Sequence, residues 1–198
     1  MRCLQLLLLL WSPLACCQQQ GGADIAGVHF AESVTIGTAA AQLNGAGLRS
    51  LFGIKAYAIG IYLPQRIDRL EAILRQPGAK RIQIVNLFDL SADILAVTLA
   101  KGMRRNLSEA EFAELRERID LLRAAVHATG KAASGSLIQL DWLPAGSGHG
   151  GVTRLSVNAL PRGEDIPGED FYQALLKVWL GEKVNDARLR DALLGRAQ

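Results

Sequence analysis

At 198 residues, with 49% hydrophobic and 21% charged side chains, the chain has the makeup of one globular domain that can bury a substantial core without staples. The formal net charge of +3 is small, and Lys and Arg are scattered rather than gathered into a stripe, which argues against a nucleic-acid partner. Aromatic residues make up only 6% and do not interleave with basic ones, which argues against single-strand binding as well.

Residues 1–17 read as a signal peptide. Arg2 provides a positive n-region, Leu4–Trp11 a short apolar run interrupted by Gln5, and Ala15, Cys16 and Cys17 the small residues of a cleavage site. The apolar run is too short to span a bilayer. Export as a soluble protein, periplasmic in a bacterial cell, is favoured over lipidation at Cys16 or Cys17, because Pro13-Leu14-Ala15 fits a lipobox only loosely. Cys3, Cys16 and Cys17 are all the cysteines, so the mature domain is expected to carry no disulfide, thiolate metal site or Cys nucleophile. Residues 18–27, rich in Gln, Gly and Ala, read as a linker, and 28–198 as the folded domain.

Val28–Ile36 and Leu43–Leu51 have strand-like patterns, with Gly45 and Gly47 marking a bend or a close backbone approach. Ile54–Leu63 alternates with both faces apolar, as a covered strand does: Tyr57, Ile59, Ile61 and Leu63 share one face. Arg66–Gln76 predicts a short helix, Arg81–Phe88 a strand, and Ser91–Met103 a helix with Ile94, Leu95 and Leu99 inward. Ser108 with Glu111 forms a capping box, opening a helix towards His127. Ser136–Leu143 and Val152–Leu160 predict a hairpin across the glycine-rich 144–151 stretch. Two helices follow, around Asp170–Leu180 and Asp186–Leu194, the second capped by Asp186. Antiparallel strands with helices between and after them make an α+β domain.

Familiar catalytic and cofactor patterns are missing. His29, His127 and His149 lie in no metal-ligand spacing, and His149 reads more simply as a solvated turn residue. The stretch Asn44–Arg49 lacks the last glycine of a dinucleotide fingerprint and leads into strand rather than helix. No cofactor and no metal is expected. Two polar groups stand out: Arg49, after the glycine-rich bend, and Tyr57 among apolar neighbours. A buried guanidinium needs an anion, and a nearby phenol can donate to the same one. The residue pattern alone leaves open a carboxylate- or enolate-binding pair and a plain Arg–Asp pair beside a core tyrosine.

Leu43-Asn44-Gly45-Ala46-Gly47-Leu48-Arg49, then Lys55–Leu63, resembles the N-terminal signature of the chalcone isomerase family, and Ile166–Tyr172 with Trp179–Lys183 resembles the C-terminal part of its bacterial branch. The resemblance spans about residues 28–195 and implies an open-faced β-sandwich, in which a large antiparallel sheet is covered by a helical layer with the ligand cleft between them. Enzymes of this family close a chalcone phenolate onto its own enone without a cofactor. Carried over by position, the family arginine is Arg49, while Tyr57 replaces a strand threonine, Phe112 a tyrosine and Ile119 an asparagine, and the late pair falls on Val178 and Trp179.

With most polar catalytic groups exchanged for apolar ones, the pattern is similar to the non-catalytic fatty-acid-binding branch. The resemblance therefore implies a ligand site of Arg49, Tyr57, Phe112, Ile119, Val178 and Trp179 for a small apolar, fatty-acid-like carboxylate. The alternatives are a cofactor-independent intramolecular lyase or isomerase acting through Arg49, and a structural or partner-binding exported protein.

Overall fold

The computed structural model describes residues 21–51, 53–146 and 150–196. The signal-peptide and lipidation readings, all three cysteines and His149 fall outside them. In chain order come β1 (Gly22–Ile25), β2 (Val28–Ala31), β3 (Ser33–Ile36), β4 (Ala39–Leu51), β5 (Ile54–Leu63), α1 (Leu70–Arg75) and β6 (Lys80–Asn86). Then follow β7 (Leu90–Ser91), α2 (Ala92–Asn106), α3 (Glu109–Glu114), α4 (Arg116–His127), β8 (Lys131–Ala132), β9 (Leu137–Pro144), β10 (Gly151–Val157), β11 (Leu160–Pro161), β12 (Ile166–Pro167), α5 (Glu169–Leu180) and α6 (Ala187–Leu193).

One antiparallel sheet runs in the order β11-β10-β9-β6-β5-β4-β3, with β12 added beside β10. The helices cover one face of it. Strand β5 lies near the middle and is buried on both sides from Ala56 onward, which its two apolar faces required. Tyr57, Ile59, Ile61 and Leu63 face the helices and join one core with Leu99, Met103, Leu176 and Trp179. On the opposite face Ala58 and Tyr62 pack under Phe30 in a second, smaller cluster. Further along that face the cross-strand neighbours are polar, Gln83 against Gln139 and Arg81 against Asp141. The large sheet is thus sandwiched on one side and largely open on the other.

Local differences from the sequence expectations have simple causes. Residues 22–25, inside the stretch read as linker, pair with β2 through a two-residue turn at Ala26-Gly27, both at positive φ as that hairpin turn requires. Strand β4 begins at Ala39, earlier than expected, because its first residues are alanines with little intrinsic strand signal. The helix predicted from Ser108 bends at Leu115 into α3 and α4, while its capping box forms as predicted. Ile94 points outward, 54% exposed, leaving Leu95, Leu99 and Met103 to carry the inner face of α2. Among the described residues no helix is long and apolar enough to cross a membrane.

Candidate functional site

Arg49 and Tyr57 are direct partners across the β4–β5 ladder, so their side chains leave the same face of the sheet a few ångströms apart. A register shift follows at once, between Arg49 and Ser50. Such irregularities bend a strand end and re-aim a side chain. Here they place the guanidinium at the rim of the core rather than inside it, with 17% of the Arg49 side chain exposed.

The glycines upstream have a different task. Helix α6 lies directly on β4: a methyl group on Gly45 would fall 2.7 Å from the Leu193 carbonyl oxygen, and one on Gly47 would fall 2.6 Å from Leu189 Cδ1. Asn44, buried beside Gly45, ties three segments together. Its Nδ2 donates to Leu193 O at 2.8 Å and its Oδ1 accepts from Ile67 N at 2.7 Å. The glycine-rich stretch is therefore a docking strip for α6, which meets Gly45 with its backbone and Gly47 with a side chain, the close approach that its composition suggested.

Between this end of the sheet and the helices is a cavity of about 50 Å³. The sheet contributes Arg49 and Tyr57, α2 contributes Thr98, Gly102 and Arg105, and α5 contributes Val178 and Trp179. The remaining wall is Val184, Asn185 and Asp186 from the connection between α5 and α6, with Leu189 beyond. Gly102 lets α5 approach α2 closely, since a side chain there would meet Val178 Cγ1 at 2.7 Å.

Tyr57 is 7% exposed, and its hydroxyl oxygen accepts from Trp179 Nε1–H at 3.0 Å. Its own O–H hydrogen is left to donate. Burial raises the phenol's pKa above the ordinary value, outweighing the lowering effects of the Trp179 bond and the Arg49 charge. The group is accordingly a neutral donor near neutrality, unsuited to act as a base. Arg49 Nη1 donates to Asp186 Oδ2 at 3.3 Å, while Asp186 Oδ1 caps α6 by accepting from Leu189 N at 3.0 Å. Arg105 Nη1 donates to Asn185 Oδ1.

Of the residues expected at the site, Arg49, Tyr57, Val178 and Trp179 meet at this cavity; Phe112 and Ile119 do not line it. Phe112 sits half-buried on α3 with the Arg104 guanidinium 5.2 Å from its ring centre. Ile119 belongs to the core side of α4, the helix that packs along α2. Helical periodicity placed both on an inward face, but that face meets other apolar side chains rather than the cavity. Asp186 was legible only as a helix cap, and Thr98, Arg105 and Asn185 carried no signal of their own. A broader depression of about 450 Å³ near Asn44, Arg66, Asp68 and Leu194 has none of the expected residues. Among the described residues no cluster of His, Asp or Glu could hold a metal ion.

The sequence matches the chalcone isomerase-like family over residues 22–195. Among solved structures the chain is similar to a fatty-acid binding protein of Arabidopsis thaliana, with a TM-score of 0.66 and 16% identity over 85% of this chain and 92% of that protein. At that identity the likeness concerns the fold: a large antiparallel sheet under a helical layer. No curated protein matches. The family match takes in every strand and helix described above, and the chain belongs to the chalcone isomerase-like family.

Proposed function

We propose that the protein binds a small apolar carboxylate, fatty-acid-like in character, in the cleft between sheet and helices. One observation carries this reading. A permanent cation and a neutral phenol donor, Arg49 and Tyr57, converge on a single cavity whose other walls include Val178, Trp179 and Leu189. Two donors of that kind suit a carboxylate, and the apolar walls suit the start of a hydrocarbon chain. The structural relative's name, fatty-acid binding protein, supports the same class of ligand. Pockets for ligands of that size enclose roughly 300 Å³ or more, so the cavity of about 50 Å³ is a closed state that the chain must widen.

The test is native mass spectrometry of the full chain and of Arg49→Gln after purification from a bacterial host. An acyl carboxylate should accompany the unaltered protein and be lost, at least tenfold, from the variant. The reading fails if the unaltered protein carries and accepts no carboxylate, or if Arg49→Gln retains it fully. We further propose export, on the strength of the layout of residues 1–17. Cell fractionation with mass determination of the product should find the chain outside the cytoplasm, shortened near Cys17 or lipidated at Cys16 or Cys17. A full-length cytoplasmic product would refute it.

A further inference from the structure

The connection between α5 and α6 forms a wall of the cavity through the consecutive residues Val184, Asn185 and Asp186. It is fastened at polar points. Lys183 N donates to Asn106 Oδ1 at 2.9 Å, Arg105 holds Asn185, and Arg49 holds Asp186. Both arginines that line the cavity are thus engaged by side chains of this one strap.

The Arg49–Asp186 contact is not one of the protein's two-bond Arg–Asp forks. Arg81 grips Asp141 with two bonds of 2.6 and 2.7 Å. Arg118 grips Asp170 at 2.6 and 2.7 Å, and Arg154 grips Asp165 at 2.9 and 2.5 Å. Arg49 instead offers only Nη1, at 3.3 Å, to a carboxylate whose other oxygen is committed to the α6 cap. A guanidinium's preferred anion complex is the parallel two-bond fork, and Asp186, with one oxygen 3.3 Å from Arg49 Nη1 and the other turned to the α6 cap, does not form it here. The cation is neutralised but not saturated.

We propose that Asp186 is a built-in substitute for the ligand carboxylate, and that a ligand binds by exchanging against it at Arg49 while the 181–186 strap moves. This rests on the carboxylate-binding reading given above. Helix α6 stays in place, because its backbone is seated on Gly45 and pinned by Asn44. The movable part lies between the ends of the strap: Gly181 and Asp186 are tied by backbone bonds to α5 and α6, whereas Lys183 and Asn185 are held only through the side chains of Asn106 and Arg105, and releasing those widens the cavity. Asp186 then sets how strongly an acidic headgroup must compete, which makes it a determinant of affinity and of selectivity for anions over neutral amphiphiles.

The experiment measures dodecanoate and dodecanol binding by calorimetry on the full chain, Asp186→Asn, Asp186→Ser and Arg49→Gln. Asn and Ser both preserve helix capping, so the α6 start survives while the competing charge is gone. The expected result is about tenfold tighter dodecanoate binding in both Asp186 variants, about 1.4 kcal/mol, with dodecanol unchanged. Equal dodecanoate affinity in the unaltered protein and the Asp186 variants overturns the exchange, even where Arg49→Gln shows the site itself to be real. Weaker binding in Asp186→Asn also overturns it, because Asp186 would then be positioning Arg49 for the ligand. Should no protein bind dodecanoate, this inference falls together with the function it rests on.

Discussion

Replacing Gly45 by Ala adds one methyl group at the seat of α6, and the structure sets what that must cost. The new carbon would lie well inside contact distance of the Ala192 carbonyl oxygen and 2.7 Å from that of Leu193, both backbone atoms that cannot rotate away. The Ala192 oxygen is the nearer, so reaching an ordinary separation of 3.4 Å requires α6 to lift by more than about 1 Å, and a gap of that size forfeits roughly half of each dispersion contact. Leu189, Leu193 and Leu194 are the buried side chains on this helix and its end. With about 1.5–3 kcal/mol for burying each, the partial loss comes to about 2–4.5 kcal/mol. Stretching the buried Asn44–Leu193 bond adds about 1 kcal/mol, and the lower chain entropy of Ala in the unfolded state returns about 0.5–1 kcal/mol. The net expectation is about 3 kcal/mol of destabilisation, or a fall in Tm of about 6–12 °C for a domain of this size. Urea unfolding followed by the fluorescence of buried Trp142 and Trp179 reads it directly. Gly47→Ala is the control, because its clash is with Leu189 Cδ1, a side-chain tip that can turn, and it should cost less than about 1 kcal/mol. Gly45→Ala as stable as the unaltered chain, or less harmful than Gly47→Ala, would refute the docking-strip account.

Tyr62→Phe should leave stability unchanged or raise it by about 1 kcal/mol, because the Tyr62 hydroxyl is buried without a hydrogen-bond partner. The same variant bears on alkaline unfolding: burial pushes the Tyr62 phenol up to about 12, so its contribution is full below pH 10 and is lost as pH rises from 10 through 12. Urea midpoints across that range should fall less steeply for Tyr62→Phe, and parallel slopes would count against the assignment. Lys80 is fully buried, with Glu169 Oε1 at 3.5 Å from its Nζ. Burial lowers its pKa more than Glu169 restores it, so the unfolded chain binds the proton better, and stability rises with pH between the lowered value and the ordinary 10.5. Lys80→Met should flatten that rise and stabilise the protein at neutral pH by about 1–3 kcal/mol; destabilisation in a urea series would show that the ion pair outweighs its desolvation.

Much of the fold was readable because its strongest signals are local. The two apolar faces of Ile54–Leu63, the Ser108–Glu111 box and the Asp186 cap each depend on residues a few positions apart, and each appears as expected. The site was readable in part. Arg49 and Tyr57 could be singled out as a strong cation and a phenol in apolar company, and the hairpin brings them side by side. Their partners had no local signal: Asp186 lies 137 positions from Arg49, and Trp179, 122 from Tyr57, was brought to the site only by the family resemblance. Phe112 and Ile119 fail for a related reason, since a helical stripe announces that a side chain is inward without saying which neighbour it will meet. The alanine-rich start of β4 shows the converse, a strand made by its partners in the sheet rather than by its own residues.

The seat of α6 on β4 also bears on how the molecule is assembled. The strip of bare main chain at Gly45 and Gly47 is covered by residues made long afterwards: Asn44 and Leu193 are 149 positions apart. Until that late segment arrives, the second ribbon from one edge of the sheet is naked along one side, and closing so long a loop is slow. A nascent or refolding chain therefore passes through a stage in which the β4–β5 hairpin can exist while its cover cannot, the interval in which proteases, chaperones and unwanted self-association compete for it.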